Sequence, residues 1–554
     1  MNTGDPDLEY AFYLAERRVL EIQAKLHRWA RDDPHRRFDD LFNLVADPAF
    51  LLVGWARVRG NKGAKTAGVD GHTAASIQAR GVEEFLGALR DCLKDRSFCP
   101  LPSRERLIPK PGTAKRRRLG ISTIRDRVVQ ASLKLVLEPI FEADFHPCSY
   151  GFRPGHRVHD AVAEVRHLAS HSYEWIVEGD IRACFDEISH CALLDRVRAR
   201  VGDKRVLALV KAFLKAGILT EDGALKDTDT GTPQGSILSP LLSNVALSVL
   251  DEHFAQVPGG PASTPWGRAK RRRLGLPNCR LVRYADDWTI MVAGTREDAV
   301  ALREEAAQVL ARTGLHLSEE KTLITHIGEG LDFLGWRIQR HRKRGTNQHY
   351  VYTYPSRKAL RAVMAKVRMW CRQVGTNQPL DVLLARINPL LKGWTAFFRP
   401  GVSSATFQYL AAYAWRRVAS WIRRKHPGIS RKEFRRRHCG GGWQPRGREL
   451  ALFNAGLVTT TRYRYRGSVI PSPWPLGAAL GPGADPDGTC GEPVAGTTRT
   501  AGSGDDPGRR AGRKASTAPR ADLTAVRPDR HPDLRRRRPL RPPHLQRPAG
   551  PGLI

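Results

Sequence analysis

Apolar and polar positions divide this chain into a mixed α/β body followed by a helical end. "LEYAFYLAERRVLEIQAKLHRWA" (8–30) repeats apolar residues three and four apart and predicts an amphipathic helix. "GVEEFLGALRDCLKD" (81–95) predicts a second. "EWIVEGDI" (174–181) reads as a strand, followed by a helix that Ser189 caps and that runs to about Arg200. "GSILSPLLSNVALSVLDEHF" (235–254) is apolar over several turns, which predicts a largely buried helix. "CRLVRYADDWTIMVAG" (279–294) places two adjacent acids between two β-prone runs, the pattern of a hairpin. Thr295 caps a helix through about Thr313, with Gly314 as its stop. Residues 357–425 read as three helices rich in Arg and Trp, and 430–474 are basic, Gly-rich and aromatic without a readable period.

The 554 residues imply more than one domain. Lys and Arg number 91 against 56 Asp and Glu, a net charge of +35 that calls for a polyanionic partner, nucleic acid before an anionic membrane surface. No apolar run reaches the roughly 18 residues of a membrane span. The start, "MNTGDPDLEY", has no apolar signal core, so a cytoplasmic location and no membrane partner are expected. Nine scattered cysteines include no C-x-x-C pair, which argues against a zinc ribbon or a disulfide framework. Beyond Trp474 there is no Phe, Trp or Tyr, and Pro, Gly and Arg dominate. That tail (475–554) is expected to be disordered, because it cannot bury enough apolar surface to offset chain entropy. It holds 14 basic and 8 acidic residues, so +29 of the charge belongs upstream.

Asp286 and Asp287 stand side by side at the tip of the hairpin, and Asp180 ends an apolar strand a hundred residues earlier. A lone Asp-Asp turn is more often simply solvated. If the two strands pair, however, neighbouring Cα atoms lie roughly 4.5–5.5 Å apart and three carboxylates converge. Such a cluster is costly unless cations neutralise it. Mg²⁺ suits a few carboxylates plus substrate phosphates, and two ions about 4 Å apart can serve both the attacking and the leaving oxygen of a nucleotidyl transfer.

The order strand-Asp, then "GTPQGS" entering a helix, then "YADD" (284–287) resembles the reverse transcriptases encoded by bacterial group II introns. "NKGAKTAGVDG" (61–71), "RLIPKPGTAKRRRLGISTIRDRVVQ" (106–130), "LEPIFEADFHPCSYGFRPGHRVHDAV" (137–162), "GLHLSEEKT" (314–322) and "LDFLGWRI" (331–338) are similar to successive blocks of that family, and "INPLLKGWTAFFR" (387–399) to its maturase domain. The resemblance covers about 60–470. It implies Asp180, Asp286 and Asp287 as catalytic metal ligands, with the Ile181 carbonyl as a further ligand. It also implies that Phe185 crowds the sugar 2′ position, that Gln234 and Gly235 lie beside the incoming nucleotide, and that Tyr284 and Ala285 lie near the primer end. Lys110 and Arg117 are candidates for the triphosphate. Arg118 stands where the family usually has proline, so which arginine faces the phosphates stays open. Lys321 resembles a lysine able to protonate pyrophosphate, though a solvated helix-end lysine reads the same way. Arg416, Arg417, Arg423, Arg424 and Lys425 are spaced to make one phosphate-binding helical face for RNA.

The expected fold is α+β. Residues 1–60 form an N-terminal helical extension, and 61–340 form right-hand polymerase fingers and palm with an antiparallel sheet. Residues 341–430 form a helical thumb and maturase domain, 431–474 a basic nucleic-acid-binding module, and 475–554 the tail, whose removal is expected to leave polymerase activity intact. The expected activity is RNA-directed DNA polymerisation with two Mg²⁺ ions. The expected partners are intron RNA, an RNA template, primer or target DNA and dNTPs, with splicing assistance. The alternatives are a maturase without polymerase activity and a reverse transcriptase of another bacterial element or defence system.

Overall fold

The structure, a computed structural model, describes residues 6–109, 116–343, 345–467 and 470–474. Lys110 and the tail lie outside the described residues. The first two expected helices span Pro6–Asp32 and Val82–Lys94. Ser189 caps His190–Arg200 by accepting from the Ala192 N–H. Thr295 and Asp298 form a capping box on Arg296–Ala311, and Gly314 follows with φ +76°. The three helices of the C-terminal half are Arg357–Gln373, Leu380–Phe398 and Ser404–Lys425.

One helix departs from the sequence reading. It runs Ser239–Gln256 rather than from 235. Gly235 takes φ +110°, and the Gln130 side-chain carbonyl accepts from Ser236 Oγ (3.1 Å) and the Ile237 N–H (3.2 Å), so the chain stays in a turn until Leu238. Apolarity extends into that turn because it is packed, not because it is helical.

Strands β1 (Ser103–Pro109), β2 (Arg116–Ile121), β4 (Ile218–Leu219) and β5 (Leu225–Lys226) form one sheet in the order β2-β1-β4-β5. Strands β3 (Trp175–Gly179), β6 (Asn278–Tyr284), β7 (Asp287–Ala293) and β8 (Leu323–His326) form a second, in the order β6-β7-β3-β8, antiparallel throughout. Strands β9 (Leu331–Phe333), β10 (Trp336–Arg342) and β11 (His349–Pro355) make a third, whose β10–β11 pair runs across position 340.

Alternation along the second sheet sends side chains to two cores. Val177, Leu281 and Ile290 enter the core shared with the N-terminal helices, whereas Ile176, Val282 and Met291 enter one shared with Val158–Ala169 and β10. Burial on both faces explains why the hairpin strands read as apolar runs rather than as a clean alternation. A third core joins the C-terminal helices, with Val367, Leu384, Ile387, Val418 and Trp421 at its centre.

Residues 430–474 prove more structural than the sequence implied. After the helix Arg431–His438 the chain returns to the sheet domain. Tyr463 Oη and Arg466 Nε donate to Asp160 (2.9 and 2.8 Å), Tyr465 Oη donates to Glu164, and Trp474 Nε1 donates to Gln23 on the first helix. Among the described residues the eight cysteines are free thiols, and no helix is long and apolar enough to cross a membrane.

Candidate active site

Strand register brings the acids together. Gly179 pairs with Trp288 between β3 and β7, and Tyr284 pairs with Asp287 across the hairpin. One step past Gly179 therefore sets Asp180 opposite Asp287, with Asp286 beside it in a two-residue turn. A tight hairpin needs a left-handed residue to match strand twist, and Ala285 supplies it with φ +57°. Three groups hold this costly conformation. Arg283 Nη1 donates to the Ala285 carbonyl at 3.1 Å. Gly151 lies so close that a Cβ there would stand 2.2 Å from the Ala285 nitrogen. The Trp288 ring covers Gly179, where a Cβ would meet it at 2.1 Å.

Arg283 is the site's buried anchor. It is fully buried, donates through Nε to Asp251 Oδ1 at 2.7 Å and through Nη2 to Asp251 Oδ2, and reaches Asn244 Oδ1 at 2.9 Å. Asn244 Nδ2 in turn donates to the Gly151 carbonyl at 2.7 Å. Helix, glycine block and hairpin tip are thus tied through one guanidinium.

The carboxylates resist their own charge. Burial first, then Asp180, push the Asp286 carboxyl above its ordinary value, while Arg117 and Arg283 act the other way. Burial, then Asp286, then Asp180 raise Asp287 to about 6, opposed by Lys358. Asp180 has turned to Lys321, whose Nζ stands 2.7 Å from its Oδ2. Among the described residues no three carboxylate, imidazole or thiolate groups stand close enough to hold one ion. The donors that remain are hard oxygens. Ile181 pairs with Leu317 through flanking bonds only, Arg182 N–H to His316 O and Ser318 N–H to Asp180 O, so its own carbonyl faces away from that strand, toward β7. Carboxylates that repel and a backbone carbonyl turned toward them are the hard oxygen donors that fit Mg²⁺.

A raised carboxyl pKa means that the folded state holds the proton more tightly than the unfolded state. The Asp287 penalty is therefore fully present above about pH 6 and relieved as pH falls toward 3.8. A cation offsets the same penalty. Mg²⁺ is expected to raise the melting temperature more near pH 8 than near pH 5. A shift independent of pH in a thermal melt would contradict it.

The residues expected beside the nucleotide stand near one another, between β2 and the loop after β3. The Gly120 N–H donates to the Gln234 carbonyl at 2.7 Å, and a Cβ on Gly235 would meet the Gly120 carbonyl at 2.8 Å, so the Pro-Gln-Gly turn abuts β2. Phe185, half-buried, follows Ala183 with φ +40°, and its carbonyl accepts from the Thr232 N–H. Arg118 pairs with Glu105 at 3.5 Å, whereas Arg117 lies on the opposite face of β2, and its charge opposes the rise of the Asp286 pKa. Tyr284 is half-buried at the end of β6.

The basic stripe does not hold as a single face. At about 100° per residue, Arg416 and Arg423 align, Arg417 and Arg424 align roughly a quarter-turn away, and Lys425 faces roughly opposite Arg416. Lys425 Nζ donates to the Thr376 and Gln378 carbonyls, both at 2.8 Å, and Arg424 donates to Cys371 O at 2.6 Å. These two fasten the loop between neighbouring helices. Arg416, Arg417 and Arg423 stay exposed.

Residues 108–338 match the family described as reverse transcriptase (RNA-dependent DNA polymerase), and 360–440 match the group II intron, maturase-specific domain. Protein YkfC of Escherichia coli (strain K12) is 37% identical over 375 residues, 63% of this chain and 98% of that protein. The group II intron-encoded protein LtrA of Lactococcus lactis subsp. cremoris is 32% identical over 372 residues, 59% of this chain and 61% of LtrA. An uncharacterized 91 kDa protein in a cob intron of Schizosaccharomyces pombe is 30% identical over 368 residues, 58% of this chain and 45% of that protein.

Proposed function

Because the chain belongs to the reverse transcriptase–maturases encoded by group II introns, we propose that it extends a DNA primer on an RNA template at the carboxylates Asp180, Asp286 and Asp287, and assists splicing and mobility of its intron RNA. The single observation that carries the reading is the register of Gly179 with Trp288, which lines Asp180 up with the hairpin acids. Bound Mg²⁺, as two ions, would lower the pKa of the primer 3′-hydroxyl and stabilise the negative charge that develops on the leaving pyrophosphate.

The chain's own residues would do the rest by positioning and electrostatics, with no covalent intermediate. Asp180 and Asp286, with the Ile181 carbonyl, would hold the cations, and Asp287 would support them. Arg117 reaches the triphosphate from β2, and Lys110 is proposed to join it. Lys321, placed on Asp180, stands within reach of the site and would donate a proton from Nζ to the departing phosphates. Gln234 and Gly235 seat the base pair, and Tyr284 and Ala285 carry the primer end. The rigid hairpin keeps these distances fixed.

We further propose residues 1–60 as a helical extension, 61–340 as fingers and palm, 341–430 as thumb and maturase domain, and 431–474 as a basic module that also fastens to the palm. RNA contact falls to Arg416, Arg417 and Arg423, with Arg424 and Lys425 holding the loop beneath them.

Phe185 gives a direct test. Phe185→Val is expected to admit ribonucleotides during primer extension on an RNA template, lowering sugar discrimination by about tenfold or more, since lost steric exclusion of one hydroxyl is worth roughly 1–3 kcal/mol. Unchanged discrimination removes Phe185 from the sugar pocket. Splicing assistance without any extension by the wild-type chain would favour a maturase that has no polymerase activity.

A further inference from the structure

The segment between the Ser239–Gln256 helix and β6 carries a surface that the proposed chemistry does not use. Pro265–Arg273, "PWGRAKRRR", is a helix begun by Thr264, whose side chain accepts from the Gly267 N–H at 3.0 Å. It has two unlike sides. Arg268 and Arg271 lie within about 60° of each other and face the protein. Arg268 Nη1 donates to the Ser263 carbonyl, Arg271 Nε donates to the Pro277 carbonyl at 3.0 Å, and Asn278 Nδ2 donates to the Arg268 carbonyl. Trp266, Lys270 and Arg273 stand at i, i+4 and i+7 and share the opposite, solvent side. Trp266 is 71% exposed, and Lys270 Nζ lies 5.4 Å from its ring centroid. Arg272 is exposed too, and 265–276 contains no acid. No carboxylate among the described residues pairs with these cations.

Two of the basic residues thus have structural work, while the outward ones and the tryptophan have none. An exposed indole in water is unfavourable, and a row of unpaired cations repels itself. One occupant relieves both: a nucleic-acid backbone whose phosphates meet Lys270 and Arg273 while an unpaired base stacks on Trp266. The helix adjoins the Asn278 end of β6, and the acids sit past its Tyr284 end. Six residues of strand separate them by about 20 Å, too far for the same nucleotides to touch both.

We propose that Pro265–Arg273 is a docking surface for structured RNA with an unpaired base, separate from the primer–template cleft; this deepens the RNA-binding reading above and rests on it.

The full chain would be compared with Lys270→Glu/Arg273→Glu and with Trp266→Ala, substitutions on exposed side chains. The probes are a short RNA hairpin with an open loop, a blunt RNA duplex of equal phosphate count, and phosphatidylglycerol vesicles. The charge-reversed variant is expected to bind the hairpin at least about tenfold more weakly at low salt, with a salt dependence shallower by about two released counterions. Trp266→Ala is expected to weaken the hairpin about tenfold and leave the duplex within about twofold. Extension of a short primed RNA template should stay within about twofold for both variants. Unaltered hairpin affinity overturns the proposal. So does a parallel loss of extension, which would put the helix in the cleft, or loss of vesicle binding alone, which would make its partner a membrane. Wild-type protein that binds the hairpin but extends no primer would overturn the polymerase reading and leave this surface standing.

Discussion

Asp180→Asn is expected to lower nucleotide incorporation about a thousandfold while intron RNA binding stays unchanged. Asp180 lies at the mouth of the site, about a third exposed, with Lys321 as its ion-pair partner. Removing its charge therefore opens no buried hole, and the fold should tolerate it. The loss falls on the transition state instead. Stabilisation of developing phosphoryl charge is worth several kcal/mol, and about 4 kcal/mol corresponds to about a thousandfold in rate. Lys321 also loses its partner, so the variant combines one missing ligand with one cation left unneutralised. Single-turnover incorporation on a primed RNA template, with RNA binding measured in parallel, separates the two effects. A rate within about tenfold of wild type would remove Asp180 from the chemistry.

Arg283→Met is expected to cost about 3–5 kcal/mol of stability, a large share of the roughly 5–15 kcal/mol a domain has. Asp251 and Arg283 are both fully buried, and truncating the guanidinium strands the carboxylate in the interior. The same change removes the donors to Asn244 and to the Ala285 carbonyl, so the turn at φ +57° loses the bond that braces it. Activity should fall even where the protein remains folded. Adding Asp251→Leu removes the stranded charge and is expected to restore much of the stability but not the activity. Urea unfolding measures the first effect, and a loss under about 1 kcal/mol would mean that the pair carries little of the fold.

What the sequence made legible follows from local rules. Capping residues, a glycine stop and period-two apolar runs fixed the helices after Ser189 and Thr295 and the hairpin itself, because each signal lies within a few residues of its effect. Convergence of Asp180 with the hairpin needed only the assumption that two strands pair. Long-range partners stayed hidden. Nothing near Arg283 in the sequence announces that Asp251, on the Ser239–Gln256 helix 32 residues earlier, neutralises it. Gly151 and Gly179 carry no signal of their own in the sequence, whereas each makes room for a specific neighbour, the Ala285 backbone and the Trp288 ring. The five-residue basic stripe failed on geometry: counting charges ignored the angle between successive side chains, and two of the five turn inward to backbone carbonyls. That Arg117 and Arg118 occupy opposite faces of β2 was likewise not visible until strand pairing set the register.

The central claim is that Asp180, Asp286 and Asp287 form a polymerase site in a chain that also serves its intron RNA. The most direct measurement is Mg²⁺-dependent extension of a DNA primer on an RNA template, comparing the wild-type chain with the Asp286→Ala, Asp287→Ala double variant. Wild type is expected to make full-length DNA and the double variant none, with intron RNA affinity the same in both. Equal background synthesis by the two proteins would contradict the account.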